Sequence, residues 1–130
     1  MAAVGVAAFA ASWALLHTGF YDDVAIVDTP VYRGYGDRMV GGQVPYRDFG
    51  LEYPPAALVA FVVPSLAASE DYGTVFELLM LACGAAAISL VALALAAARV
   101  PAGALVRGVS FAALSPLLLG PVLLTRYDLW

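Results

Sequence analysis

Four apolar runs divide the chain, and the polar stretches between them set the expected architecture. Residues 1–20 form the first, about 20 residues or about 30 Å of helix, the thickness of a bilayer core, and are expected to span. No positive region precedes the run and no small-x-small cleavage site interrupts it, so it is read as a retained anchor. Trp13 and His17 fall near its far end, where a backbone carbonyl is expected to hold the imidazole. Residues 54–68 form the second run. It reaches only about 22 Å, contains Pro64, and predicts a juxtamembrane helix that does not cross. Residues 74–98 give a second span. Residues 108–124, about 17 in number and loosened by Pro116 and Gly120-Pro121, give a third near the lower length limit.

The polar stretch over 21–53 holds six acids, Asp22, Asp23, Asp28, Asp37, Asp48 and Glu52, and three arginines, Arg33, Arg38 and Arg47, and must lie outside the hydrocarbon. Within it, Asp28-Thr29-Pro30 reads as a helix start, a side-chain cap followed by proline in the first turn, and Gly41-Gly42 as the stop. A short helix over 30–40 would line one face with Val31, Tyr35 and Met39 and set Arg33 and Asp37 on another, as in a helix lying in the interface plane. Charge orients the chain. Arg99 and Arg107 flank the last two apolar runs and are expected in the cytoplasm, whereas Ser69-Glu70-Asp71-Tyr72 is acidic, which puts Asp28, Glu70 and Arg126 outside.

Composition agrees with this reading. At 63% hydrophobic and 12% charged residues the chain lies outside the range of soluble domains and is expected to be an all-α integral membrane protein with three transmembrane and two juxtamembrane helices. The net charge of −4 is concentrated in one loop, and no basic surface for nucleic acid is present. Cys83, the lone cysteine, sits in an apolar run and reads as a small hydrophobe; there is no disulfide framework and no Cys/His metal cluster. All six basic residues are arginine, which with the Ala/Gly/Val bias points to a GC-rich bacterial genome and the bacterial cytoplasmic membrane. The glycines at 34, 36, 41 and 42 match no phosphate-binding loop, and no spacing supports a Ser/His/Asp triad. The ending Thr125-Arg126-Tyr127-Asp128-Leu129-Trp130 is charged and aromatic and is read as a truncation.

The loop carries a resemblance. Asp28-x-x-x-Tyr32, then Gly42-x-x-Pro45-Tyr46-Arg47-Asp48-Phe49, then Glu52-Tyr53-Pro54-Pro55, resemble the first external loop of polyprenol-phosphate-sugar-dependent membrane glycosyltransferases of the GT-C superfamily, nearest to bacterial mannosyltransferase-like proteins. The resemblance covers the whole chain as the N-terminal part of a much longer enzyme, so the 130 residues alone are expected to be inactive. It implies two juxtamembrane helices in the loop, a polyprenyl-phosphate sugar donor, a glycan or glycolipid acceptor, and Asp28 as the general base in an inverting transfer. Arg33, Arg38, Arg47 and Arg126 are then candidates to neutralise the leaving phosphate. Tyr32, Tyr46 and Tyr53 are candidates to stack on sugar, and Asp48, Glu52 and Asp128 complete the substrate-binding set. Each has a plainer reading: a helix cap for Asp28, salt bridges or headgroup contacts for the arginines, an interfacial aromatic belt for the tyrosines, and a loop brace between Arg47 and Asp48 or Glu52. No cofactor is identified. Some superfamily members hold a divalent metal on loop acids, and no spacing here marks or removes such a site. The rival function is a non-catalytic membrane protein, or a remnant of such an enzyme, that binds a partner or membrane lipid.

Overall fold

The computed structural model describes residues 1–21, 28–67 and 71–130, without the side chain of Phe20. Asp22, Asp23 and Glu70, which the charge pattern puts outside the membrane, lie outside the described residues. The described chain is helical: α1 (Ala2–Leu15), a 3-10 turn (Gly19–Tyr21), α2 (Thr29–Val40), α3 (Ala57–Ala67), α4 (Tyr72–Ala97), α5 (Ala102–Leu119) and the single turn α6 (Val122–Thr125). Two of these, α4 and α5, are long and apolar enough to cross a membrane; α1 and α3 are apolar but shorter.

Helices α1, α4 and α5 pack as a three-helix bundle in which small residues let the backbones close. Gly5 of α1 faces Ile88 and Val109, and Gly84 of α4 lies under the ring of Phe9, where any Cβ would run into the aromatic carbons. These neighbours set α1 antiparallel to α4 and parallel to α5. One polar link crosses the seam: the buried Ser12 hydroxyl lies 2.8 Å from the Ala113 carbonyl, and also bonds back to Ala8. The core around it is Phe9, Leu16, Ile88, Ala92, Val109, Ala113, Leu123 and Leu124.

The ends of these helices differ from the sequence expectation. Helix α1 stops at Leu15, where the apolar run alone predicted a helix to residue 20. Thr18 donates its hydroxyl to the Leu15 carbonyl at 2.9 Å, and Gly19 takes a φ of +62°, which turns the chain out of the helix. Helix α5 starts at Ala102, so Arg107 stands in its second turn and not in the link before it. That link is Ala98–Pro101, in which Arg99 adopts a φ of +53°. Pro116 is buried inside α5, and the helix ends at Gly120 with a φ of +68°.

At one end of the bundle α2 packs against α3. The packed stripe on α2 is Tyr32, Tyr35, Gly36 and Met39; Val31, expected on that face, is exposed. Two contacts pull the stripe round. Tyr32 stacks on Phe61 of α3 with centroids 4.6 Å apart and planes 10° from parallel, and Gly36 sits against the Phe61 carbonyl and the Ser65 hydroxyl, where a side chain would not fit. Ser65 donates to Asp37 at 2.9 Å. Phe61, Phe76 and Met80 have no exposed surface, so α2, α3 and the start of α4 share one core.

Candidate functional site

Asp28 precedes the first turn of α2, with Pro30 at its N-terminal positions. Its backbone carbonyl accepts from the Val31 and Tyr32 amides at 2.9 and 3.2 Å, but its side chain makes no capping hydrogen bond, which corrects the expected side-chain cap. The carboxylate turns instead to Arg126, whose Nη2 lies 3.2 Å from Oδ2. Here Tyr127 wedges edge-on among Tyr32, Tyr53 and Phe61, at centroid distances of 6.0, 5.1 and 5.7 Å, and the Trp130 indole donates to the Ala56 carbonyl at 3.0 Å. The aromatic cluster thus fixes Arg126 over Asp28.

Tyr32 is buried at the centre of that cluster. Burial, first, and a hydrogen bond with Tyr53, second, push its phenol well above the ordinary tyrosine value; the Asp28 carboxylate adds to the rise and Arg126 opposes it. Tyr32 is therefore neutral at any physiological pH and acts as a packing and hydrogen-bonding group. Its rings with Phe61, Tyr53 and Tyr127 form a wall, not an open stacking platform.

A cavity of about 390 Å³ adjoins the Asp28–Arg126 pair. Thr29, Pro30 and Arg33 of α2, Tyr72, Gly73 and Glu77 of α4, and Thr125 of α6 line it, so Asp28 and Arg126 are each one residue from a lining position. Glu77 is held by His17, Nε2 to Oε2, at 3.1 Å; a carboxylate, and not the expected backbone carbonyl, is the partner of that imidazole. The Trp13 ring lies 4.6 Å from the His17 ring. Arg33 pairs with Asp37 one turn on, at 3.5 Å.

Of the predicted site residues, Asp28, Tyr32, Arg33, Tyr53 and Arg126 come together at this end of α2. Asp128 is exposed nearby and lines a separate cleft of about 110 Å³ with Arg126 and Leu129. The rest stand elsewhere. Arg38, about 15 Å along the axis of α2 from Asp28, lies over the Phe49 ring at 5.4 Å. Arg47 grips Asp48 through Nε and Nη2, both at 2.9 Å, while Asp48 also accepts from the Val44 amide at 2.8 Å. Arg47, and then the Val44 amide, hold the Asp48 carboxyl below the usual value. Tyr46 takes a φ of +63° and donates to the Tyr53 carbonyl, and Glu52 is exposed. Residues 44–49 thus form a braced turn whose charges satisfy each other.

Of the lining residues only Arg33 is a sequence candidate; the polar groups of Thr29, Tyr72, Glu77 and Thr125 are not. Glu77 carries the clearest signal, as the one ionisable carboxylate inside the apolar run of 74–98. Among the described residues no three His, Cys, Asp or Glu side chains gather where they could hold a metal ion. Comparison of the chain with protein-family models, with curated proteins and with solved structures finds no match.

Proposed function

We propose that this chain is the N-terminal membrane segment of an inverting glycosyltransferase that moves a sugar, mannose in the nearest resemblance, from a polyprenyl-phosphate donor to an acceptor outside the bacterial cytoplasmic membrane. The observation that carries the reading is the Asp28 carboxylate, which is not spent on capping its helix and stands beside a ligand-sized cavity at one end of two span-length apolar helices. In the proposed reaction the acceptor oxygen attacks the anomeric carbon and Asp28 takes its proton. The bond from that carbon to the phosphate oxygen breaks with inversion, and polyprenyl phosphate leaves.

Membrane insertion is part of the proposal, and the surface of the bundle supports it. Leu90, Phe111 and Leu118 on α4 and α5 are 65, 71 and 73% exposed, an arrangement that water penalises and acyl chains accept. Helix α1 would be the third crossing, short enough to need local bilayer thinning. Arg99 and Arg107 cluster at the end of the bundle away from Asp28, which under the positive-inside tendency faces Asp28 outward. The packed pair of α2 and α3 would then lie at the outer surface.

The test is donor identity. Membranes holding the full-length protein are given radiolabelled polyprenyl-phosphate mannose or the matching nucleotide sugar. Label moving from the lipid donor, with inversion and release of polyprenyl phosphate, supports the proposal. Transfer from the nucleotide sugar alone, or no transfer from either, overturns it.

A further inference from the structure

Four of the six arginines have a partner within the chain: Arg33 with Asp37, Arg47 with Asp48, Arg126 with Asp28, and Arg38 over the Phe49 ring. Arg99 and Arg107 are exposed at the other end of the bundle, and among the described residues no carboxylate pairs with either. The sequence supplies none there. No Asp or Glu occurs in residues 1–21 or between Glu77 and Asp128, and Glu77 lies about 30 Å along α4 from its last residue. At a bilayer boundary, less polar than water, these two cations take their counter-ion from outside the described chain. Arg99 stands where helices usually end on glycine: the Val100 amide reaches the Leu95 carbonyl at 3.3 Å and the Arg99 amide the Ala96 carbonyl at 3.0 Å, with Arg99 left-handed at a φ of +53°. Arg107 belongs to one stripe of α5. Gly103, Arg107, Phe111, Leu114 and Leu118 follow at spacings of three and four residues, and all are exposed. The Arg107 side chain runs back toward the start of the helix, its Nη1 3.5 Å from where a Cβ on Gly103 would stand. From Arg107 to Leu118 the stripe is about 16 Å long, close to half of a roughly 30 Å bilayer core. A cation at the boundary with an apolar ladder one leaflet long beside it matches a phospholipid, phosphate to arginine and acyl chain to the ring and leucines.

We infer that Arg99 and Arg107 bind the phosphodiester headgroup of an anionic phospholipid, with one acyl chain against Phe111, Leu114 and Leu118. Guanidinium forks match phosphate oxygens in geometry as well as charge. A zwitterionic lipid shares the phosphate but adds a cationic head, for which this end of the bundle offers no carboxylate, so a net negative lipid is preferred. The inference rests on the membrane-insertion part of the proposed function and is independent of sugar transfer.

Native mass spectrometry of the detergent-solubilised chain, supplied with dioleoyl phosphatidylglycerol or dioleoyl phosphatidylcholine and then challenged with inorganic phosphate, reads the bound lipid. A first phosphatidylglycerol adduct at least about tenfold tighter than the phosphatidylcholine one is expected, and inorganic phosphate should not displace it. Arg107→Gln should lose about tenfold in affinity, the scale of one hydrogen bond to a charged group. Arg99→Gly should lose a similar factor while raising thermal stability, because glycine accepts the left-handed backbone without strain; that sign separates lost binding from lost folding. Gly103→Val keeps both charges but fills the bed of the Arg107 side chain, and should weaken the adduct as well. Arg47→Gln, an equal change of net charge in the braced turn, should bind phosphatidylglycerol as the parent does. Equal affinity for the two lipids, displacement by inorganic phosphate, undiminished binding in Arg99→Gly, Arg107→Gln or Gly103→Val, or an equal loss in Arg47→Gln overturns the inference. A chain that stays monodisperse without detergent would overturn the membrane reading beneath it; a chain that requires detergent yet shows no lipid preference overturns the inference alone.

Discussion

Alanine at Gly36 and alanine at Gly34 should have opposite effects, although the two positions lie half a turn apart on the same helix. In a helix interior, Gly→Ala is worth about 1 kcal/mol of stabilisation through backbone entropy. At Gly34 nothing lies within 4 Å of the added Cβ, so that gain should appear in full. At Gly36 the Cβ meets the Phe61 carbonyl oxygen and the Ser65 hydroxyl. The carbonyl belongs to the backbone of α3 and cannot turn aside, so α2 and α3 must separate, at about 1–3 kcal/mol for overpacking. Ser65 loses its 2.9 Å bond to Asp37, a further cost of about 1 kcal/mol because the carboxylate is half exposed and water replaces part of it. The net for Gly36→Ala is then a destabilisation of about 1–3 kcal/mol. Equilibrium unfolding of the two variants in nanodiscs, followed by circular dichroism, reads both signs. Stabilisation of Gly36→Ala comparable to that of Gly34→Ala would refute the close α2–α3 contact on which the position of Asp28 depends.

Two further outcomes follow from the same geometry. With Cys83 replaced by alanine, cysteines at Asp71 and Arg126 should label from the outside and a cysteine at Arg99 only from the cytoplasm; labelling of Asp71→Cys from the cytoplasm alone would replace three crossings by four. The turn over 44–49 should loosen in acid. The folded Asp48 carboxyl lies below its unfolded value of about 3.9, so its contribution is present above that value and is lost as pH falls through the depressed one. Amide exchange at Val44 and Asp48 should therefore stay slow from neutral pH down to about pH 4 and rise below it, relative to the intrinsic rate; Asp48→Asn should remove the pH dependence.

Helical content and the two long apolar helices were legible because they rest on run length and composition, which need no partner. Helix ends were less so. Nothing in an apolar run to Phe20 marks a stop at Leu15, since the stop is made by the Thr18 hydroxyl and the positive φ of Gly19. The buried face of α2 differs from its periodicity for a related reason. Val31 fits the periodicity as well as Tyr32 does, and what decides between them is the stack of Tyr32 on Phe61, a residue far along the chain. The same holds at the site. Asp28 stands out in sequence as the loop acid before a helix, but its partner Arg126 comes from the other end of the chain, and Glu77 and His17 acquire meaning only when α1 and α4 lie antiparallel. The pair Arg47–Asp48, adjacent in sequence, was readable as a brace without the fold.

Asp28→Asn in the full-length protein tests the central claim most directly. Asparagine keeps the size of the side chain and can still accept a hydrogen bond from Arg126, but it cannot take a proton from the acceptor. General-base catalysis contributes about 10²–10⁴-fold, so transfer from a polyprenyl-phosphate sugar should fall by about that factor at unchanged protein level, while Asp48→Asn in the braced turn costs much less. Near-parental turnover in Asp28→Asn would contradict the account, reduce Asp28 to a salt-bridge partner of Arg126, and send the search for the base to Asp22, Asp23 or Asp128.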